Sequence, residues 1–161
     1  MTGVQTCALP ISVLGAANGT ATITGSVADS GSPVSLSGTG VSTLATLSIT
    51  PNPLTITLPT GATTGTGTVT LTNTAPPGGS SVAITGVSVA GGSLTTYFFG
   101  IRPGFNTCTG AGLAPGASCT VGVRYTIAGA PRGADDPGTI TFTDTGTGSP
   151  QSGALIGHAN P

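Results

Sequence analysis

Apolar and polar residues alternate one by one in many short stretches of this chain. The clearest stretch follows Cys119, where apolar residues alternate with polar or small ones: Val121, Val123, Tyr125 and Ile127 against Thr120, Gly122, Arg124 and Thr126. This period of two is typical of a β-strand that buries one face. No segment shows the period of an amphipathic helix. The pattern therefore predicts an all-β protein.

Further strands are predicted wherever such alternation recurs between turns rich in Gly, Pro and Asn. They lie at residues 47–58, 68–74, 82–89, 97–101, 139–143 and 154–157. Pro51 and Pro53 fit an edge strand, and the interruption at Thr85-Gly86 predicts a bulge. Seven or eight short strands without helices predict an antiparallel β-sandwich. We expect Greek-key connections, which the periodicity alone does not determine.

One pair of strands occurs twice in the sequence. Residues 19–40 and 138–159 both begin with Gly-Thr and an alternating strand, pass a turn containing Ser-Pro, and end in a strand with Leu. The opening glycines are 119 residues apart, whereas the Ser-Pro pairs are 117 apart. We expect 12–46 to be the C-terminal strand pair of a truncated preceding repeat plus linker, and 47–161 to be a complete module. The alternative is chance similarity between Thr/Gly-rich segments.

Residues 1–11, MTGVQTCALPI, resemble the translation of a common sequencing-library adaptor. We therefore predict that they are an artefact and exclude them from the fold prediction. Cys7 then leaves the cysteine count, and the natural gene is expected to begin upstream. The lack of a signal peptide in this fragment is consequently uninformative.

Charge is nearly absent from this chain of 161 residues, with 4% charged residues and a net charge of −1. A chain without a basic cluster is not expected to bind nucleic acid, because such binding needs several Lys or Arg contacts to phosphates. No apolar segment is long enough to span a membrane. There is no Glu, and the single His, His158, lies in the last predicted strand. Neither a Ser-His-Asp arrangement nor a pair of catalytic carboxyl groups can be assembled. We predict no catalytic residues, no cofactor and no enzyme activity.

Cys108 and Cys119 bracket a Gly/Ala/Pro-rich turn with the spacing C-x10-C. This is not a metal pattern, because zinc sites draw four ligands and the chain has one His. A disulfide here would stabilise the fold by roughly 3 kcal/mol and would indicate an oxidising compartment. We predict this disulfide; the alternative is a pair of buried free thiols in a cytosolic protein.

The other charged and aromatic residues give weaker indications of a binding site. A calcium site could be considered at Asp135 and Asp136, with Asp144 and Asp29 elsewhere in the chain. Two adjacent carboxylates supply few of the six to eight oxygen ligands that Ca²⁺ needs. We predict a solvated loop at Asp135-Asp136 and no metal site. Arg102 and Arg124 are expected to be surface or edge charges. The rings between 97 and 105 are expected to be buried, which disfavours carbohydrate binding.

The order of motifs resembles a known family. LSITP, TGTVTLTNT, VAITGVSV, LAPGASCTVGVRYT, GTITFTDT and SPQSGALIGHA look like the bacterial Hydin-type (ASH) immunoglobulin-like domains of the choice-of-anchor D group. The resemblance covers residues 47–159 and implies a seven-stranded immunoglobulin-like sandwich, usually in tandem on secreted or surface-attached bacterial proteins. The chain departs from the family in LTITLP at 54–59 and in RGADD at 132–136.

We therefore expect a non-catalytic structural or adhesive module of a secreted or cell-surface bacterial protein. It would act as a spacer or interaction module, with neighbouring repeats of the same chain, surface proteins or glycans as partners. The main alternative is an accessory, carbohydrate-binding module of a secreted multidomain enzyme. An intracellular scaffold domain is a third possibility, which a disulfide disfavours.

Overall fold

The structure, a computed structural model, describes residues 15–21, 34–40, 45–93, 96–129 and 133–161. The chain divides into two compact units, Met1–Ser42 and Thr43–Pro161, and we describe each separately. The first unit contributes strands β1 (Gly15–Ala21) and β2 (Val34–Gly40). The described residues contain no helix and form a further ten strands in the second unit: β3 (Leu47–Thr50), β4 (Leu54–Leu58), β5 (Thr64–Asn73), β6 (Val82–Ala90), β7 (Gly92–Ser93), β8 (Tyr97–Asn106), β9 (Gly112–Leu113), β10 (Ser118–Ile127), β11 (Asp135–Asp144) and β12 (Gln151–Ala159).

The second unit is a sandwich of two sheets. Sheet I has the strand order β3-β5-β10-β8-β7, and sheet II has the order β4-β12-β11-β6-β9. The central orders β3-β5-β10-β8 and β12-β11-β6 match the ABED and CFG sheets of an immunoglobulin constant-type domain. The predicted immunoglobulin-like sandwich with Greek-key connections is therefore confirmed. The additional strands are the two-residue β7 and β9 and the division of the first predicted stretch into β3 and β4.

One strand pair departs from the predicted antiparallel arrangement. The chain leaves sheet I after β3, turns at Pro51-Asn52-Pro53, and joins sheet II as β4. There β4 pairs with β12 in parallel, with Leu54 opposite Leu155 and Leu58 opposite Ala159. Proline fits this position because an edge strand needs no backbone donor on its free side.

The core lies between the two sheets and is filled by the side chains that alternate inward along the strands of both sheets. On β10, Val121, Val123 and Tyr125 are completely buried, as the alternation predicted. On the neighbouring strand of the same sheet, β8, Phe99 lies opposite Tyr125 in the ladder, and the centroids of the two rings are 5.0 Å apart. On β12, a Cβ added at Gly157 would collide with the Tyr125 ring. A small residue on one sheet thus accommodates the largest buried side chain of the other.

Two bulges interrupt the ladders. Gly86 pairs with Thr143 and Ile84 with Asp144, which leaves Thr85 without a partner position and confirms the predicted bulge on β6. The second bulge was not predicted. On β8, Ile101 pairs with Val123 and Asn106 with Val121, so residues 102–105 project opposite a single position of β10. Its sequence, Arg-Pro-Gly-Phe, has no alternation that could have marked it as part of a strand.

The first unit contains one antiparallel hairpin, β1 with β2, in which Gly19 lies opposite Leu36. In the second unit, β11 and β12 form an antiparallel pair in which Gly138 lies opposite Leu155. Both residues of the first pair differ from those of the second by 119, and the same offset holds along the two registers. The two hairpins therefore have the same backbone register.

The second unit begins and ends at opposite ends of the sandwich. At its start, the Thr74 N–H donates to the Thr46 carbonyl at 2.7 Å, beside the last residue of β5. At its end, the Asn160 N–H donates to the Leu58 carbonyl at 3.2 Å, beside the first turn before β5. The chain covers this distance in β3, the turn at Pro51-Asn52-Pro53 and β4, which run alongside β5, a strand of ten residues and roughly 30 Å.

Candidate functional site

The turn between β8 and β10 is closed by a disulfide between Cys108 and Cys119, with an Sγ–Sγ distance of 2.00 Å and a Cα–Cα distance of 5.0 Å. Both residues are buried, Cys108 completely. The turn is further attached to sheet II, because its Leu113 pairs with Val82 through β9. The cysteines therefore connect a loop to the core, and the described structure shows no exposed thiol at either position.

Asn73, at the end of β5, is the centre of the polar contacts around this turn. It is completely buried, and its Nδ2 donates to the Ser80 carbonyl at 3.0 Å and to the Leu113 carbonyl at 2.9 Å. Its Oδ1 accepts from the Ala75 N–H at 3.0 Å. One side chain thereby fixes both the 75–80 connection and the disulfide-linked turn. This role was not predicted; the signal in the sequence was an asparagine at an inward-facing position of the strand.

Asp135 and Asp136 belong to β11, so the predicted solvated loop is wrong. Asp136 is buried and accepts a hydrogen bond from the Tyr125 hydroxyl, which links the two sheets through the core. Asp135 is exposed, and its Oδ1 lies 2.8 Å from Nδ1 of His158 on the neighbouring strand. Strand alternation separates the two carboxylates onto opposite faces of sheet II, so they do not form one site.

Asp144 is the third acidic residue of β11, and it also faces inward, with 8% exposure. Its Oδ1 accepts from the Gly146 N–H at 2.7 Å. Its Oδ2 is buried without a hydrogen-bond partner among the described residues. The Asp144 backbone N–H donates to the Ser149 Oγ at 2.9 Å, which completes a tight turn before β12.

The bulge on β8 places Arg102 and Phe105 on the outer face of sheet I. The guanidinium carbon of Arg102 lies 3.5 Å from the centroid of the Phe105 ring, a cation–π contact. Phe105 is 48% exposed, so the predicted burial of the rings is wrong for this one. Beneath the bulge lies Gly122, where an added Cβ would fall 2.7 Å from the Phe105 Cβ. Glycine at this position lets the bulge lie flat on the sheet.

Within the described ranges, no three His, Cys, Asp or Glu side chains come together in a group that could hold a metal ion. The described chain also contains no helix long and apolar enough to cross a membrane. Asp135 and His158 form a two-residue pair on the outer face of sheet II, where β11 and β12 lie side by side.

No family model matches the chain, and no curated protein matches it. Among solved structures, it is similar to the VesB protease of Vibrio cholerae, with 19% identity and a TM-score of 0.48 over 71% of this chain and 32% of that one. It is also similar to the ASH / PapD-like domain 7 of human CEP192, with 14% identity and a TM-score of 0.41 over 75% of this chain and 89% of that one. The chain therefore spans about a third of the protease. The strand order, and not these similarities, defines the immunoglobulin-like sandwich.

Proposed function

We propose that the chain carries a non-catalytic structural module of a secreted or cell-surface bacterial protein, and that the module acts as a spacer in a tandem array. The observation that carries this proposal is the position of its two ends. The chain enters the sandwich beside Thr74 and leaves it beside Leu58, at the opposite end. A module with this geometry adds its full length to an array, whereas adjacent ends would fold the array back on itself.

The two hairpins support the tandem arrangement. Their shared register corresponds to an offset of 119 residues. If this length is the repeat period, β1 and β2 take the place in a preceding module that β11 and β12 take here. In a complete module, β11 also pairs with β6 and β12 with β4.

The disulfide and the resemblance to ASH domains of the choice-of-anchor D group support the proposed location. Disulfides persist in secreted and surface proteins and are rare in the reducing cytosol. With no Trp and 4% aromatic residues, the core gains relatively little from large rings, and a covalent link compensates for this. The adaptor origin of residues 1–11 remains a prediction that falls outside the described residues.

The spacer proposal is tested by the length of defined arrays. We would join one, two and four copies of Thr43–Pro161 and measure the maximum dimension of each by small-angle X-ray scattering. We expect an increase of roughly 30 Å or slightly more for each added copy, because each contributes the length of the sandwich along β5. A four-copy array with nearly the dimension of two copies would contradict the proposal.

The alternative function is that of an accessory module of a secreted enzyme, and the same sandwich fold is compatible with it. It is distinguished by the complete gene, which would carry a catalytic domain in that case and further copies of this module in the other. In either case the module contributes no catalytic group of its own.

A further inference from the structure

The charged residues that the structure describes are segregated between the two sheets. Arg102 and Arg124 both lie in sheet I. The acidic residues that the structure describes, Asp135, Asp136 and Asp144, all lie on β11 in sheet II. The outer face of sheet I is therefore positive, and its described part has no carboxylate to neutralise the two guanidinium groups.

Arg102 is held in place by the bulge. Its guanidinium stacks on the Phe105 ring, and both side chains rest above Gly122, where an added Cβ would approach the Arg102 Cβ to 3.2 Å. A stacked guanidinium loses less freedom on binding than a free one, because its orientation is already restricted. The exposed part of Phe105 adds an apolar surface directly beside this charge.

Arg124 lies on the adjacent strand and points to the same face, because Val123 and Tyr125 on either side of it are buried in the core. Its neighbours across the ladders are Thr66 on β5 and Gly100 on β8. Its Nε is buried and has no hydrogen-bond acceptor among the described residues. Arg102 lies above Gly122, two positions from Arg124 on β10, so the two arginines are neighbours on this face.

A row of hydroxyl groups lies beside the arginines. The outward residues of β5 are all threonines: Thr64, Thr66, Thr68, Thr70 and Thr72. Hydroxyl contacts tie this row to β10, with Thr72 Oγ1 2.8 Å from Ser118 Oγ and Thr64 Oγ1 3.5 Å from Thr126 Oγ1. Each hydroxyl can donate or accept, so the row offers hydrogen bonds to a ligand that carries many hydroxyl groups.

We propose that this outer face of sheet I binds an acidic polysaccharide. Its carboxylates would lie between Arg102 and Arg124, a sugar ring would contact Phe105, and its hydroxyl groups would bind the threonine row. Guanidinium groups match carboxylates in shape and charge. The proposal goes beyond the spacer function and does not depend on it, because the surface belongs to a single module.

A peptide partner fits this face less well. Peptides commonly bind to sheets by adding a strand to a free edge. On β8, the four-residue bulge at 102–105 interrupts that edge, and bulges of this kind oppose strand addition. A flat, hydroxylated ligand needs no edge and can lie across the strands.

The test uses the full chain and isothermal titration calorimetry with three polymers. Polygalacturonate carries a carboxylate on each sugar, its methyl-esterified form has the same sugars without the charge, and poly-glutamate has the charge without the sugars. We expect binding to polygalacturonate only, weakened strongly at about 1 M salt, where the screening length falls to about 3 Å. Equal binding to the esterified polymer, equal binding to poly-glutamate, or no binding to polygalacturonate would each overturn the proposal.

The residues are tested by Arg102→Gln, Arg124→Gln and Phe105→Ala. We expect each substitution to lower the affinity for polygalacturonate by about fivefold or more, and the double arginine variant to abolish measurable binding. The control is Asp135→Asn, which changes the net charge by one unit in the opposite direction on sheet II and is expected to leave the affinity within about twofold. Thermal unfolding checks that each variant is folded. Wild-type affinity in both single arginine variants would overturn the assignment.

Discussion

Asn73 shows how much of this fold depends on one residue. It is completely buried and satisfies two carbonyl groups and one N–H from two separate connections. A buried polar group left without a partner costs about 1–3 kcal/mol. The side chain therefore stabilises the end of the sandwich out of proportion to its size.

We predict that Asn73→Ala lowers the free energy of unfolding by about 3 kcal/mol or more, because it leaves Ser80, Leu113 and Ala75 each with an unpaired backbone group. Chemical denaturation with guanidinium chloride measures the change. The control is Thr72→Ala on the outward face of the same strand, which removes one hydroxyl contact and is expected to cost less than about 1 kcal/mol. Similar losses in both variants would show that Asn73 has no special role.

Asp144, in contrast to Asn73, is expected to lower the stability of the folded protein. One of its carboxylate oxygens is buried without a partner, and burying a charge in this state is costly. We predict that Asp144→Asn raises the free energy of unfolding by about 1 kcal/mol at neutral pH, since Oδ1 can still accept from Gly146. The control is Asp135→Asn, which changes an exposed carboxylate. A clear loss of stability in Asp144→Asn would show that the negative charge is compensated in the folded protein.

At the scale of single elements, the disulfide connects the turn before β10 to the core. The loop between Cys108 and Cys119 contains eleven peptide bonds, so closing it is expected to stabilise the protein by roughly 3 kcal/mol. We predict this loss for the double variant Cys108→Ala/Cys119→Ala in urea denaturation. Thiol titration of the unreduced, unfolded chain should find one free thiol, Cys7. Free thiols at both Cys108 and Cys119 in protein from its native compartment would favour the reduced alternative.

Strand β12 packs closely against the buried ring of Tyr125 at Gly157. A Cβ at Gly157 would overlap the buried Tyr125 ring, so Gly157→Ala must displace that ring or the strand. We predict a loss of about 2–3 kcal/mol, as for other overpacked cores. The control is Gly100→Ala on β8, where an added Cβ has no neighbour within 4 Å. If both variants unfold at the same temperature, the close packing of Tyr125 against β12 is wrong.

At the scale of the whole molecule, the boundary between the two compact units at Ser42 and Thr43 defines a module that should be independent. We predict that limited proteolysis cuts between Val41 and Thr46. The fragment that begins at Thr43 should then unfold at the temperature of the full chain, because the core of the second unit is complete within it. Differential scanning calorimetry measures this. Uniform resistance to proteolysis, or a much lower unfolding temperature for the fragment, would contradict the boundary.

Much of the fold was predictable because local pattern and tertiary packing agree. The alternation from Val121 to Ile127 determines which face of β10 is buried, since a strand exposes its side chains with a period of two. The interruption at Thr85 predicted its bulge for the same reason. Where the pattern was absent, as at residues 102–105, the prediction of a buried ring at Phe105 was wrong.

The sequence by itself determined the all-β class, the inward face of the main strands and the pairing candidate Cys108 with Cys119, because these depend on neighbours in the chain. Only the tertiary structure decided that Asp136 is buried against Tyr125 and that Asn73 joins two connections. It also decided that Arg102, Phe105 and Arg124 share one face. These contacts join residues on different strands, and their positions depend on strand order and register, which the composition of each strand does not specify.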